Sequence, residues 1–159
     1  LLALVVDALA VAGQVLVARY RGASDPAAAR SAADRLLVWG LRIGVGLGIL
    51  LLALIPFLPR LFTPDPSVIA NILVVYPFII VMQPLNALVF VWDGVFLGAE
   101  EFRFLAVQMV LSGAAAAAVL LLVLPMGWGL RGIWWGMTTL MLVRALTLGW
   151  RYWRAWPAA

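Results

Sequence analysis

The chain has no cysteine, no histidine and no lysine. Without cysteine there is no disulfide framework and no thiolate chemistry. Without histidine the commonest metal ligand and the commonest general base are both missing. Charge is scarce as well: charged residues make up 11% of the chain, and all eleven basic residues are arginine. A soluble domain is about a quarter charged and about half apolar. What the chain has in excess is apolar sequence, at 66% hydrophobic residues and a mean hydropathy of +1.10. No water-facing surface can be built from this composition without large exposed apolar patches. The class is therefore an integral membrane protein. The all-arginine usage fits a high-GC genome. The pI near 10.7 would suit a nucleic-acid binder, but the arginines fall at the ends of apolar runs and in short loops. That is membrane topology, so nucleic acid is excluded as a partner and membrane lipid is expected instead.

Five apolar segments stand out, at about 1–18, 36–58, 68–97, 104–126 and 130–150. Each is near or above the roughly 20 residues that cross a hydrocarbon core. Each must be a helix, because a lone strand leaves its backbone unsatisfied in lipid. The opening LLALVV is not a signal peptide, since Asp7 interrupts it and arginines follow. A chain that starts inside a span is expected to be a piece of a longer protein. Asp25-Pro26 and Asp65-Pro66 each read as a capping acid with proline at the first helical position. The second helix is thus expected to start near Pro26 and the third near Pro66. PRLFTPD and PMGWGLRG read as loops.

Arginine placement predicts orientation. Arg19, Arg21, Arg30, Arg35, Arg103, Arg151 and Arg154 gather on one side, and Arg60 and Arg131 lie on the other. The rich side is expected to be cytoplasmic. The chain then starts outside and ends inside a bacterial cytoplasmic membrane. Trp128, Trp134 and Trp135 would form an outer aromatic belt, and Trp150, Trp153 and Trp156 an inner one. Gly40, Gly44 and Gly48 share one face of the second helix, and Gly113 with Ala114 to Ala118 slims the fourth. Both predict close helix packing.

Ionisable groups within spans are the first candidates for function. On the third helix Tyr76, Gln83, Asn86, Phe90 and Asp93 fall within an arc of roughly 100°. Pro77 and Pro84 interrupt the same helix, and each frees a carbonyl one turn earlier. A bent helix with a polar inner face suits a transport pathway; a polar seam between helices is the plainer reading. Asp93 lies only about one turn from LGAEE, so about 5–8 Å from the inner boundary. Arg144 precedes Arg151 by seven residues, about 10 Å along a helix. The two should sit at similar depth, and an Asp93–Arg144 ion pair joining the third and fifth helices is expected. Arg42 reads as a snorkelling residue. Asp7 is deeper, about 18 Å along its helix from Arg19, with Gln14 two turns away on the same face. It reads equally as a titrating pathway group or as a protonated, hydrogen-bonded acid in a helix seam.

The order AVAGQVLVA…RGASDPAAA, PRLFTPDPSVI, QPLNALVFVWDGVFLGA and LVRALTL resembles the MATE family of multidrug and toxic compound extrusion transporters, in its DinF-like branch. The resemblance covers essentially the whole chain. It is strongest at Arg60-Leu61-Phe62-Thr63 with Asp65 and Val68, and at Asp93-Gly94 with Gly98-Ala99. The residues RYRG before Ala23 depart from it, in a loop remote from transport chemistry.

The resemblance implies an all-α protein of twelve helices in two six-helix lobes. Residues 1–159 would then be five transmembrane helices, most of the C-terminal lobe. A membrane enzyme, such as a lipid phosphatase or transferase, would need clustered acids at metal spacing or a His or Ser constellation, and the sequence has none; no enzyme and no cofactor are expected. The implied activity is a secondary active antiporter exporting drugs or metabolites, driven by a proton or sodium gradient, by alternating access between the lobes. The absent N-terminal lobe and a small organic substrate would be its partners. The DinF-like coupling carboxylate lies in that absent lobe, and the tenth-helix carboxylate of other branches is matched to no residue here. A lipid-linked precursor flippase of the same superfamily would line its cavity with several basic residues, and here Arg144 and Arg42 are the only candidates. A non-transporting scaffold subunit is a further alternative. The candidate pathway residues are therefore Asp7, Gln14, Tyr76, Gln83 and Asn86, beside the Asp93–Arg144 pair.

Overall fold

The computed structural model describes residues 2–155, with side chains described for 4–154. Trp156, expected in the inner aromatic belt, lies outside them. Six helices follow in order: α1 (Leu2–Gly22), α2 (Pro26–Leu54), α3 (Leu58–Phe62), α4 (Pro66–Gly98), α5 (Phe102–Val123) and α6 (Gly129–Ala155). Three of them, α2, α4 and α5, are long and apolar enough to cross a membrane. The longest, α4, has 33 residues, about 50 Å of helix. Helix α6 is also long, but its Arg131, Arg144, Arg151 and Arg154 and its Thr138 and Thr139 dilute its apolar character.

The helix starts follow from capping chemistry. Asp25 accepts from the Ala28 amide at 2.9 Å, with Pro26 opening α2. Asp65 accepts from the Ser67 amide and from the Ser67 hydroxyl, both at 2.8 Å, with Pro66 opening α4. Three turns close with the six-to-one backbone bond of a Schellman motif. These bonds are Asp25 N–H to Tyr20 O, Glu101 N–H to Phe96 O and Trp128 N–H to Val123 O, at 2.9, 3.0 and 3.1 Å. At the first two the left-handed position falls to Ser24 (φ 56°) and Glu100 (φ 61°) rather than to glycine.

PMGWGLRG, expected as a loop, is one only as far as Trp128, because α6 begins at Gly129. Two further expectations need correction. The second apolar segment was expected to run as one helix to 58, with PRLFTPD as a loop. Instead α2 ends at Leu54, and a five-residue helix occupies Leu58–Phe62. Pro56 has no N–H to continue the ladder, and Pro59 fits the first turn of a new helix. Gly113 was expected at a close helix contact. A Cβ on Gly113 would meet nothing within 4 Å. The alanine run beside it does take part, since Ala116 is buried and a Cβ on Gly136 would lie 3.7 Å from its carbonyl oxygen; α6 adds Gly132 against Val123.

Helix α4 is the centre of the bundle. It packs on α1 and α2 along one side and on α6 along another, and α5 leans on α6. The α2 contact uses the glycine face read from the sequence. A Cβ on Gly44 would lie 2.7 Å from the Pro84 Cα and 2.8 Å from the Gln83 carbonyl oxygen. The α1 contact is closer still. A Cβ on Gly94 would overlap the Ala10 backbone, and one on Gly98 would overlap the Gln14 carbonyl. The buried core lies towards the arginine-rich end, where Val17, Ala33, Val95, Phe96, Leu148 and Tyr152 meet. At the opposite end α6 stays packed on α5, with Gly132 against Val123 and Gly136 against Leu120, and meets α4 through Phe78 and Trp135. Cavities of about 450 and 650 Å³ open there on two sides of Arg131 and Trp135.

Candidate functional site

Helix α6 carries three polar ties near the arginine-rich end. Arg144 pairs through Nη2 with Oδ2 of Asp93 on α4. Both side chains are largely enclosed, at 9% and 21% exposure. Arg151 donates through Nε to Glu101, the residue before α5, at 3.0 Å. Arg30 of α2 donates to the Tyr152 carbonyl at 3.0 Å and lies 4.0 Å above the Tyr152 ring. The Tyr152 hydroxyl in turn donates to Asp34 at 2.6 Å. The helix is thus fixed to α4, α5 and α2 by charge-assisted contacts within its last three turns. Its other end is held by softer contacts. The Phe78 and Trp135 rings meet edge to face at 5.3 Å, and Thr138 approaches the Met82 sulfur at 3.3 Å.

The Asp93–Arg144 pair is one-pronged. Asp93 Oδ1 and Arg144 Nε are buried with no hydrogen-bond partner among the described residues. An arginine fork can satisfy both carboxylate oxygens when it docks in parallel. Here one prong engages, and the free edges of both groups remain available to a further polar atom. In a low-dielectric setting such unpaired edges are costly.

The polar face expected on α4 divides into two parts. Tyr76 and Gln83 are buried, and both are satisfied by backbone. The Tyr76 hydroxyl donates to the Leu51 carbonyl of α2 at 3.1 Å, and Gln83 Nε2 donates to its own helix at Ile79, at 3.2 Å. Asn86 is half-buried, and its Oδ1 has no partner among the described residues. Phe90 is half-buried beside them. Pro77 and Pro84 lie inside α4, which continues through both.

Asp7 and Gln14 lie elsewhere. Both side chains are exposed on α1. The backbone of α1 touches α4 through Ala10 and Gln14, while the Gln14 side chain points out. The structure therefore does not gather all the candidates at one place. Tyr76, Gln83 and Asn86 look into the bundle, Asp93 meets Arg144, and Asp7 and Gln14 form an outer face. Arg42 is exposed, with its guanidinium 5.4 Å from the Trp39 ring.

Two polar residues were not singled out from the sequence. Gln108 (2% exposed) and Ser112 (0%) are buried on α5. Their four-residue spacing with Ala116 was the available signal, and it was masked by the alanine run beside it. Among the described residues no cluster of acids has the make-up of a metal site.

A model of the MatE family matches residues 1–123. Protein DETOXIFICATION 42 of Arabidopsis thaliana is 38% identical over 148 residues, which cover 93% of this chain and 28% of that protein. Protein DETOXIFICATION 43 of the same plant is 36% identical over 141 residues, covering 89% of this chain and 27% of that protein. Protein DETOXIFICATION 44, chloroplastic, is 36% identical over 148 residues, covering 93% and 28%. The chain thus spans little more than a quarter of the length of these curated relatives. No solved structure gave a significant match.

Proposed function

The chain belongs to the MatE family, and from that premise we propose that it forms part of a secondary active antiporter. In this reading the full-length protein exports drugs or metabolites against a proton or sodium gradient, by alternating access between two lobes. The chain supplies five spans, α1, α2, α4, α5 and α6, and most of the C-terminal lobe. The arginine-rich end is cytoplasmic, and the protein is a DinF-like member in a bacterial cytoplasmic membrane. The three apolar helices support a multi-pass membrane protein. The family match over residues 1–123 carries the transport reading.

The site residues take distinct parts. Asp7 and Gln14, on the outward face of α1, border the pathway between this lobe and the rest of the protein. Asn86, with an unpaired amide oxygen, offers a polar atom inside the lobe. Tyr76 and Gln83 shape the wall behind it, held in place by their carbonyl partners. Asp93 and Arg144 join α4 to α6, so that the two move together. The placement of the basic groups favours an antiporter over a lipid-linked precursor flippase. Arg144 is engaged by Asp93 and Arg42 points out of the bundle, so among the described residues Arg131 alone lends a basic side chain to the two cavities, where a flippase would line its cavity with several.

The test is efflux from vesicles containing the full-length protein, across a panel of organic substrates with imposed proton or sodium gradients. Flux that follows a gradient and collapses with it is expected. Flux of a lipid-linked precursor alone would move the assignment to the flippase.

A further inference from the structure

Gln108 is almost fully buried on α5, and its Oε1 has no hydrogen-bond partner among the described residues. Arg144 Nε, on α6, is a buried donor in the same position. The register of the two antiparallel helices places Gln108 and Arg144 at the same level of one seam. It is fixed at the arginine-rich end by the 3.0 Å bond from Arg151 to Glu101. It is fixed further along by Gly136, where a Cβ would lie 2.7 Å from Leu120 Cδ2 and 3.7 Å from the Ala116 carbonyl oxygen. Seven residues along α5 from Glu101 is Gln108, and seven back along α6 from Arg151 is Arg144. Eight further along each is the Ala116–Gly136 contact. Steps of seven and eight residues, about two turns, keep the same face of a helix. Gln108 therefore stands opposite Arg144, between two observed contacts of one seam.

We propose that Gln108 is a positioning residue for the Asp93–Arg144 pair: a change of side-chain rotamer lets its amide oxygen accept from the Arg144 guanidinium, a bond not made in this structure, and the cation is then shared between α4 and α5. The chemistry is complementary. Arginine presents five donors in a rigid fork, and Asp93 engages one edge of it. A neutral amide acceptor on the other edge orients the cation without competing for its charge. It also explains how α5, which barely touches α4, is tied to the lobe's central helix through α6. The consequence for transport rests on the antiporter reading; the contact itself does not.

The test uses the full-length protein with cysteines outside this segment replaced. Asp93→Asn strands Arg144 and lowers the thermal midpoint in detergent. Adding Gln108→Glu supplies a carboxylate from α5 and restores most of that midpoint, together with gradient-coupled efflux. Adding Ser112→Glu, one turn further along the same stripe, does not. Equal rescue by the two, or none from Gln108→Glu, overturns the proposal. For variants that fail to fold, Gln108→Cys with Arg144→Cys is expected to cross-link through a short bifunctional reagent in membranes, and Val107→Cys with Arg144→Cys is not. The reverse pattern shows the register to be wrong and overturns the proposal. A restored midpoint with no efflux even from wild type supports the Gln108 contact and counts against the antiporter instead.

Discussion

Gly94→Ala adds one carbon to the centre of the bundle, and the structure gives that carbon no room. Its Cβ would overlap the Ala10 carbonyl and Cα of α1. Those are backbone atoms, so no rotamer change relieves the clash. The helices must part, or α1 must slide. Overpacking a tight core costs about 1–3 kcal/mol. Alanine returns up to about 1 kcal/mol through its higher helix propensity. The net expectation is a loss of up to about 2 kcal/mol, with the larger value favoured because the obstacle is main chain. Gly113→Ala is the internal control. It carries the same propensity gain, and its Cβ meets nothing within 4 Å. It should be neutral or stabilising by up to about 1 kcal/mol. The assay is the thermal midpoint of the full-length protein in detergent, measured for wild type and both variants. Opposite signs are expected. A Gly94→Ala protein as stable as the Gly113→Ala protein would refute the α1–α4 packing.

Arg144→Leu leaves Asp93 without its counter-ion, and loss of one partner of a buried pair costs about 3–5 kcal/mol. Pairing it with Asp93→Leu should recover much of that loss in the same thermal assay. Tyr152 is fully buried, so Tyr152→Ala should cost about 3–5 kcal/mol by analogy with other aromatic truncations. Tyr152→Phe, which removes the hydroxyl bond to the Asp34 carboxylate, should cost about 1.5–3 kcal/mol. The Asp65 carboxyl is held below its ordinary value of 3.8 by the hydroxyl and amide of Ser67. A depressed carboxyl stabilises the folded cap above its unfolded value, and the gain is lost as pH falls through the lower folded value. Amide protection at Ser67 and Val68, corrected for intrinsic exchange, should therefore hold at neutral pH and fall below pH 3.8. Asp65→Asn should flatten that dependence.

The membrane class and the helix starts were legible because they rest on local chemistry. Composition sets the first, and the Asp-Pro pairs at 25–26 and 65–66 set the second. The glycine face of α2 was legible because its four-residue spacing is a property of one helix. The partners of those glycines were not, since the contact with Pro84 and Gln83 depends on how α2 crosses α4. Gly94 and Gly98 have the same spacing, yet only tertiary structure shows that α1 lies against them. Gly113 misled because a glycine beside five alanines looks like a contact surface, while the seam runs along Ser112 and Ala116 and takes in only part of that run. The break after Leu54 needed a judgement between two prolines in one apolar run. Burial of Gln108 was hidden for a similar reason: a single amide in an apolar helix gives no direction until its neighbour is known.

The antiporter account is tested most directly by counter-flow in sealed vesicles bearing the full-length protein, with the pH and sodium gradients imposed one at a time. It predicts substrate movement that requires one of these gradients, and reverses when that gradient is reversed. It also predicts that Asp7→Asn, on the exposed face of α1, weakens or shifts that coupling. Substrate movement of equal rate with neither gradient present, unchanged by Asp7→Asn, would contradict it.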